Sequence, residues 1–239
     1  MTDLLYSEDS YLSNFLAKIT SIEDDGAIIL DKTVFYPGGG GQPKDKGVLT
    51  FKGKNYSVTN VKKQNDSILH YIDDKLPDIN VGDVVEGEID IELRKKHNRT
   101  HTAMHILCGV IYNEFGSTVT GGDFKSLSGR MDFDIDNFSK DRIQFIEKKC
   151  NEAVKAKHDI KIEFLSREEA EKVPELIRTK INLIPKFVKV IRTVDIVGLD
   201  KQADGGTHVR QTGEVGVIKL VKVDNKGKGR RRIYLEIHD

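Results

Sequence analysis

Arg99-Thr100-His101-Thr102-Ala103-Met104-His105-Ile106-Leu107-Cys108-Gly109-Val110-Ile111-Tyr112-Asn113-Glu114-Phe115 is the stretch on which the fold turns. Met104, Leu107, Cys108, Ile111 and Phe115 recur at three- and four-residue steps, so the segment reads as a helix with one apolar stripe. His101 and His105 stand one turn apart on that helix, where both imidazoles can reach a single ion. A zinc-protease motif needs Glu directly after the first His, and Thr102 stands there instead, which removes that reading. Cys108, one turn further on, reads more readily as a small buried hydrophobe than as another donor.

The chain changes character on either side of this helix. Upstream, short alternating runs at Phe15–Ile19, Ala27–Leu30, Val48–Phe51, Tyr56–Val61, Ile68–Ile72 and Val84–Ile89 are separated by turn residues such as Asp25-Gly26 and Val81-Gly82-Asp83. Strands at that spacing suggest a small antiparallel barrel. Inside it, Phe35-Tyr36-Pro37-Gly38-Gly39-Gly40-Gly41-Gln42-Pro43 spends four glycines, an entropic cost that fits either a loop tip or backbone approaching a ligand or the next domain. Downstream, Ser139–His158 reads as a second helix, with Ile143, Ile146, Cys150 and Val154 on one stripe. Arg130–Phe133, Ile160–Leu165, Lys186–Val197, Glu214–Val223 and Arg231–Ile237 read as strands. Ser166-x-x-Glu169 resembles a capping box opening a short helix, and a further helix is expected over Glu175–Leu183, stopped by Pro185. Helices and strands mix without a strict alternation. The expected architecture is α+β: an N-terminal antiparallel β-barrel over residues 1–91, then a mixed α+β domain over residues 92–239.

The 239 residues carry 38 Lys+Arg against 38 Asp+Glu, so a nucleic-acid partner would have to be met by a local basic patch. Lys226-Gly227-Lys228-Gly229-Arg230-Arg231-Arg232 supplies one: it is a solvated hairpin tip or a phosphate site, with Arg94, Lys95, Lys96 and Arg99 as an extension. Cys108 and Cys150 form no CxxC pair, which is a reducing-compartment pattern. The opening MTDLLYSEDS has acids where a signal peptide carries bases, and no apolar run approaches 18 residues. A cytoplasmic protein with no membrane partner is expected.

Gln202-Ala203-Asp204-Gly205-Gly206-Thr207-His208 offers an oxygen and a nitrogen four residues apart, beside two glycines that permit a sharp turn. HTAMHIL and ADGGTHV together resemble the two metal-site motifs of the editing domain of alanyl-tRNA synthetase and of its freestanding AlaX-type relatives. The run from Phe35 to Gly47 is similar to the glycine-rich motif of the medium-length members. Val119-Thr120-Gly121-Gly122, Arg130-x-Asp132-Phe133 and Thr212-Gly213-Glu214-Val215-Gly216 are also similar to family segments, in the family's order.

The resemblance implies an aminoacyl-tRNA hydrolase, a carboxylic ester hydrolase that contacts the acceptor end of alanine tRNA and not DNA. No amino-acid-activation segment is visible, so it implies editing in trans: removal of Ser, and of Gly, from tRNA(Ala). It also implies one zinc ion per chain, held by His101, His105 and His208, with Asp204 standing where the family has Cys. That departure leaves the fourth ligand open, because a carboxylate oxygen is a harder donor than a thiolate and can instead sit behind the ligands. Whether zinc activates water or anchors the amine or the ribose is equally open. Thr102 and Thr120 are the candidate catalytic hydroxyls, and Gly121, Gly122, Gly205, Gly206 and Thr207 the candidate substrate contacts. Lys226, Lys228, Arg230, Arg231 and Arg232 are the candidate RNA contacts. The competing readings are a catalytically silent tRNA-binding module and a threonyl-type editing domain.

Overall fold

Period-two alternation closes the first unit into a barrel. The computed structural model describes residues 1–73, 79–135, 139–173, 176, 188–227 and 229–239, and the chain divides into the units Met1–Lys95 and Lys96–Asp239. The first unit contains β1 (Asp3–Leu4), β2 (Asn14–Ile22), β3 (Ile28–Leu30), β4 (Lys32–Thr33), β5 (Gly47–Phe51), β6 (Lys54–Gln64), β7 (Ser67–Ile72) and β8 (Val84–Ile89). A closed antiparallel barrel runs β2-β3-β7-β6-β5-β8, while β1 pairs in parallel with β4. Along β2, Phe15, Ala17 and Ile19 point inward and their neighbours outward, so one register buries these three with Leu30, Leu49, Val61 and Ile89.

The four glycines form a tight turn. Gly38, Gly39, Gly40 and Gly41 all have positive φ, between +58° and +131°, and Gly39 and Gln42 exchange backbone hydrogen bonds of 3.1 and 2.9 Å. A side chain at any of the four would be strained, which explains the run without invoking a flexible tip. Its base is fixed by Asp45, whose carboxylate accepts from Tyr36 N at 2.6 Å and from Arg94 Nε at 3.0 Å and Arg94 Nη2. Arg94 donates further to the carbonyls of Val34 (2.7 Å) and Ser10 (3.2 Å) and is fully buried. The expectation that Arg94 extends a basic surface is therefore corrected: its planar fork matches a carboxylate and two carbonyls inside the first unit.

The second unit holds most of α1 (Ile91–Phe115), then β9 (Val119–Lys125), β10 (Ser128–Asp134), α2 (Lys140–Ala156), β11 (Ile160–Ser166), α3 (Arg167–Glu171), β12 (Val190–Ile196), β13 (Asp200–Ala203), β14 (Val217–Asn225) and β15 (Arg230–His238). One sheet runs β14-β15-β10-β9 and another β11-β12-β13, which makes the fold α+β. Ser139 caps α2 through Arg142 N at 3.2 Å, and Ser166 with Glu169 forms the expected capping box on α3. Apart from Leu176, the expected helix over Glu175–Leu183 lies outside the described residues, as do the start of the expected Lys186–Val197 strand and Lys228.

Two expectations for α1 change. It begins at Ile91, because the Asp90 carboxylate accepts from Leu93 N at 2.9 Å and so caps a polar first turn that has no apolar stripe to announce it. It is also not amphipathic in its middle, since residues 101–111 are buried on every side. Ile106, Leu107, Val110 and Ile111 pack on Phe133, Ile146, Ile196, Ile218 and Leu235. A helix enclosed in this way has to satisfy His101, Thr102 and His105 inside the protein.

Candidate metal centre

Helix α1 supplies His101 and His105, and the segment after β13 supplies Asp204 and His208. The ligand atoms these four residues offer all lie within 4.8 Å of one another. The ring centroids of His101 and His208 are 4.4 Å apart and nearly stacked, and those of His105 lie 5.0 and 4.7 Å from His101 and His208. Nε2 of each ring faces one carboxylate: 3.4 Å from His101 and 3.7 Å from His105 to Asp204 Oδ1, and 3.2 Å from His208 to Oδ2. A tetrahedral ion with bonds of about 2.0 to 2.1 Å needs ligand edges of roughly 3.4 Å, and the three nitrogen–carboxylate separations lie near that length.

Electrostatics agrees with the geometry. Burial drives the His101 pKa well below its ordinary value and lowers His208 to about 4, so both rings are neutral at physiological pH and offer a lone pair. Burial works to raise the Asp204 carboxyl, but the facing His101, His105 and His208 rings outweigh it and hold it well below the usual carboxylate range. Three imidazole nitrogens and one carboxylate form an N3O donor set suited to a divalent ion.

Thr102 lies behind the cluster. Its Oγ1 is 3.3 Å from His208 Nδ1 and accepts from Val209 N at 3.2 Å, and the residue is fully buried. A proton on His208 Nδ1 shared with that oxygen leaves Nε2 as the donor nitrogen. Thr120 is elsewhere: exposed on β9, it donates to Asp132 O at 3.2 Å. Gly122 stands where a Cβ would meet Met104 Cε at 3.2 Å, so the glycine lets β9 approach α1, and Phe124 two residues on packs 5.2 Å from the His101 ring. Gly121 pairs with Asp132 on β10. Gly206 donates its backbone N–H to Asp204 Oδ2, Gly205 is exposed, and Thr207 is fully buried. Neither Gly205 nor Gly206 needs positive φ. Cys108 and Cys150 both belong to the apolar core, and burial pushes the Cys150 thiol up.

The described residues of the basic run lie between β14 and β15 and at the start of β15, and are partly spent on the protein itself. Arg232 makes a bidentate pair with Asp132 across the sheet at 2.6 and 2.7 Å, and Arg231 donates to Asn225 Oδ1 at 3.0 Å. Lys226 and Arg230 are exposed, as are Lys95 and Lys96, whereas Arg99 donates to Val215 O at 2.9 Å and pairs with Asp239. The net charge of zero conceals a division. Met1–Lys95 carries 11 Lys+Arg against 17 Asp+Glu, hence −6, and Lys96–Asp239 carries 27 against 21, hence +6. One residue near the cluster escaped sequence reasoning: Arg192 on β12, whose Nη1 donates to Asp204 O at 2.8 Å. An isolated Arg in a strand carries no motif that could have flagged it.

Comparison with known proteins gives two family models: "tRNA synthetases class II (A)" over residues 10–93 and "Threonyl and Alanyl tRNA synthetase second additional domain" over residues 191–234. The second match contains Arg192, Asp204 and His208. The chain is 43% identical over 239 residues to the alanyl-tRNA editing protein AlaX-M of Saccharolobus solfataricus, covering 99% of each chain. It is 37% identical over 243 residues to the AlaX-M protein of Methanosarcina barkeri, covering 100% of each. Against the alanine–tRNA ligase of Pyrococcus furiosus it is 35% identical over 236 residues, which is 97% of this chain and 25% of that enzyme.

Proposed function

The chain belongs to the AlaX-M family of alanyl-tRNA editing proteins, and on that premise we propose that it is a hydrolase acting in trans on mischarged alanine tRNA. It removes Ser, and also Gly, from tRNA(Ala), with one zinc ion per chain at the His101, His105, His208 and Asp204 cluster. The observation that carries the proposal is the convergence of three imidazole nitrogens and one carboxylate oxygen within 4.8 Å in the interior of the second unit.

Bound there, zinc supplies Lewis acidity, either to make water nucleophilic at neutral pH or to anchor the substrate's amine or ribose. The aminoacyl ester is already reactive, so the chain's own task is to hold it and to donate hydrogen bonds to the oxyanion. Thr102 acts through His208. Gly206 orients Asp204, while Gly121, Gly122, Gly205 and Thr207 are assigned to the acyl group. Thr120, with an exposed hydroxyl, is assigned to the serine side chain. Lys226, Lys228, Arg230 and Arg231 meet acceptor-end phosphates, and Arg232, held by Asp132, stiffens the strand that presents them. The +6 charge of this unit supports that placement. A cytoplasmic setting follows from the substrate.

Serine exceeds alanine by one hydroxyl, and an apolar pocket does not hold out the smaller residue. A polar group waiting for that hydroxyl is left unpaired by alanine, at a cost of about 1 to 3 kcal/mol. Deacylation of Ser-tRNA(Ala) should therefore outpace that of Ala-tRNA(Ala) by on the order of tenfold or more. Equal rates refute the selectivity. No turnover by metal-loaded protein makes it a silent tRNA-binding module, and turnover confined to threonine tRNA substrates makes it a threonyl-type editing domain.

A further inference from the structure

Three of the four donors have an evident source of rigidity. His101 and His105 ride on a helix enclosed on all sides, and His208 is tied to that helix through Thr102. Asp204 has no such support from regular structure: it stands just beyond the end of β13, ahead of the exposed Gly205. The β12–β13 ladder ends at Thr193 and Ala203, one residue short of it.

What holds Asp204 is a reciprocal pair of bonds with Arg192. The Asp204 N–H donates to Arg192 O at 3.1 Å, and Arg192 Nη1 returns to Asp204 O at 2.8 Å. The same guanidinium nitrogen stands 3.9 Å from Oδ2, with its side chain only 8% exposed. Gly206 N also donates to Oδ2. The two carboxylate oxygens are thereby made unlike: Oδ2 meets Arg192, Gly206 and, at 3.2 Å, His208 Nε2, whereas Oδ1 is turned to His101 and His105. A cation this deeply buried is costly unless it is hydrogen-bonded, and here one of its bonds goes to the main chain of the ligand residue itself.

We infer that Arg192 is a positioning residue of the metal centre, fixing the backbone of Asp204 so that Oδ1 is presented to the ion as the fourth donor. The inference rests on the reading that the cluster holds a metal. Lys at this position keeps the charge but replaces a planar fork with a single swinging amine, so it serves only in part.

The test is zinc affinity of the apo-protein, by competition with a chromogenic chelator, for wild type, Arg192→Met, Arg192→Lys, Asp204→Asn and the double variant Arg192→Met with Asp204→Asn. Loss of an outer partner of a metal ligand typically costs about 10- to 100-fold in affinity. Arg192→Met should show a loss of that size, Arg192→Lys a smaller one, and Arg192→Met should change affinity less than about twofold once Asp204 is already Asn, because no carboxylate is left to aim. A merely structural Arg192 would lower affinity by the same factor in both backgrounds, and that additivity overturns the inference, as does unchanged affinity in Arg192→Met. If Arg192→Met does not fold, Arg192→Lys carries the same comparison. Wild type that binds no zinc defeats the metal reading itself, which is a different result from a wild type and an Arg192→Met that bind equally well.

Discussion

His70 in the barrel and His208 in the second unit are both buried imidazoles, and burial lowers each to a pKa of about 4. Their surroundings differ. His70 is saturated by the protein, with Nδ1 donating to Ile28 O at 3.1 Å and Nε2 accepting from Thr33 Oγ1 at 2.9 Å. Thr33 Oγ1 in turn accepts from Phe35 N, so the ring is a rivet between strands with nothing left for a ligand. His208 shares its Nδ1 with Thr102 and turns Nε2 toward the point that His101 and His105 also face. His105 Nδ1 is buried with no hydrogen-bond partner among the described residues. Desolvation alone therefore does not mark a site; convergence of like donors does. The buried acids repeat the contrast. Asp45 is matched to one guanidinium in a closed pair, whereas Asp204 meets three rings and is steered by Arg192.

That contrast can be broken from the barrel side first. Asp45→Asn leaves Arg94 as a buried charge without its carboxylate, and breaking such a pair costs about 3 to 5 kcal/mol. Urea unfolding should show a loss of that size, and a loss under about 1 kcal/mol would mean that the pair is not what holds the glycine turn.

A smaller effect separates the two kinds of histidine by pH. The folded pKa of His70 is about 4 against 6.5 for a free imidazole, so the unfolded chain takes up the proton first as the pH falls. The stabilisation is present above pH 6.5 and is lost on the way down to pH 4, by about 3 kcal/mol. His70→Gln should flatten the slope of stability against pH in that window relative to wild type; parallel slopes would show that His70 does not titrate there.

The smallest effect sharpens the cluster side. Thr102→Val removes the oxygen that orients His208 and should weaken zinc binding by about tenfold, with Thr102→Ser restoring it. Equal affinity in Thr102→Val would release this hydroxyl for a direct role on the substrate.

Local periodicity made most of the architecture legible. The alternation in β2 and β8 is plain from sequence, as is the Ser166 cap, because each is decided by residues adjacent in the chain. β9 was read only as a motif, since Gly121 and Gly122 depress strand propensity and their place is decided by the approach of Met104 on α1. β13 was missed as four mostly polar residues paired only through β12. Arg94 looked like surface because a charged residue in a polar turn normally is, and its partner lies 49 positions away. At the site, the spacing of His101 and His105 was readable, but Asp204 and His208 join them only in three dimensions, and the family resemblance supplied that link. Arg192 needed coordinates.

The central claim is that the converging imidazoles hold a metal ion and the riveted one does not. Elemental analysis of wild type, His70→Gln and His101→Ala with His105→Ala, purified side by side and folded, tests it directly. About one zinc per chain is expected in the first two and essentially none in the third. Full occupancy in the third, or none in wild type, would contradict it.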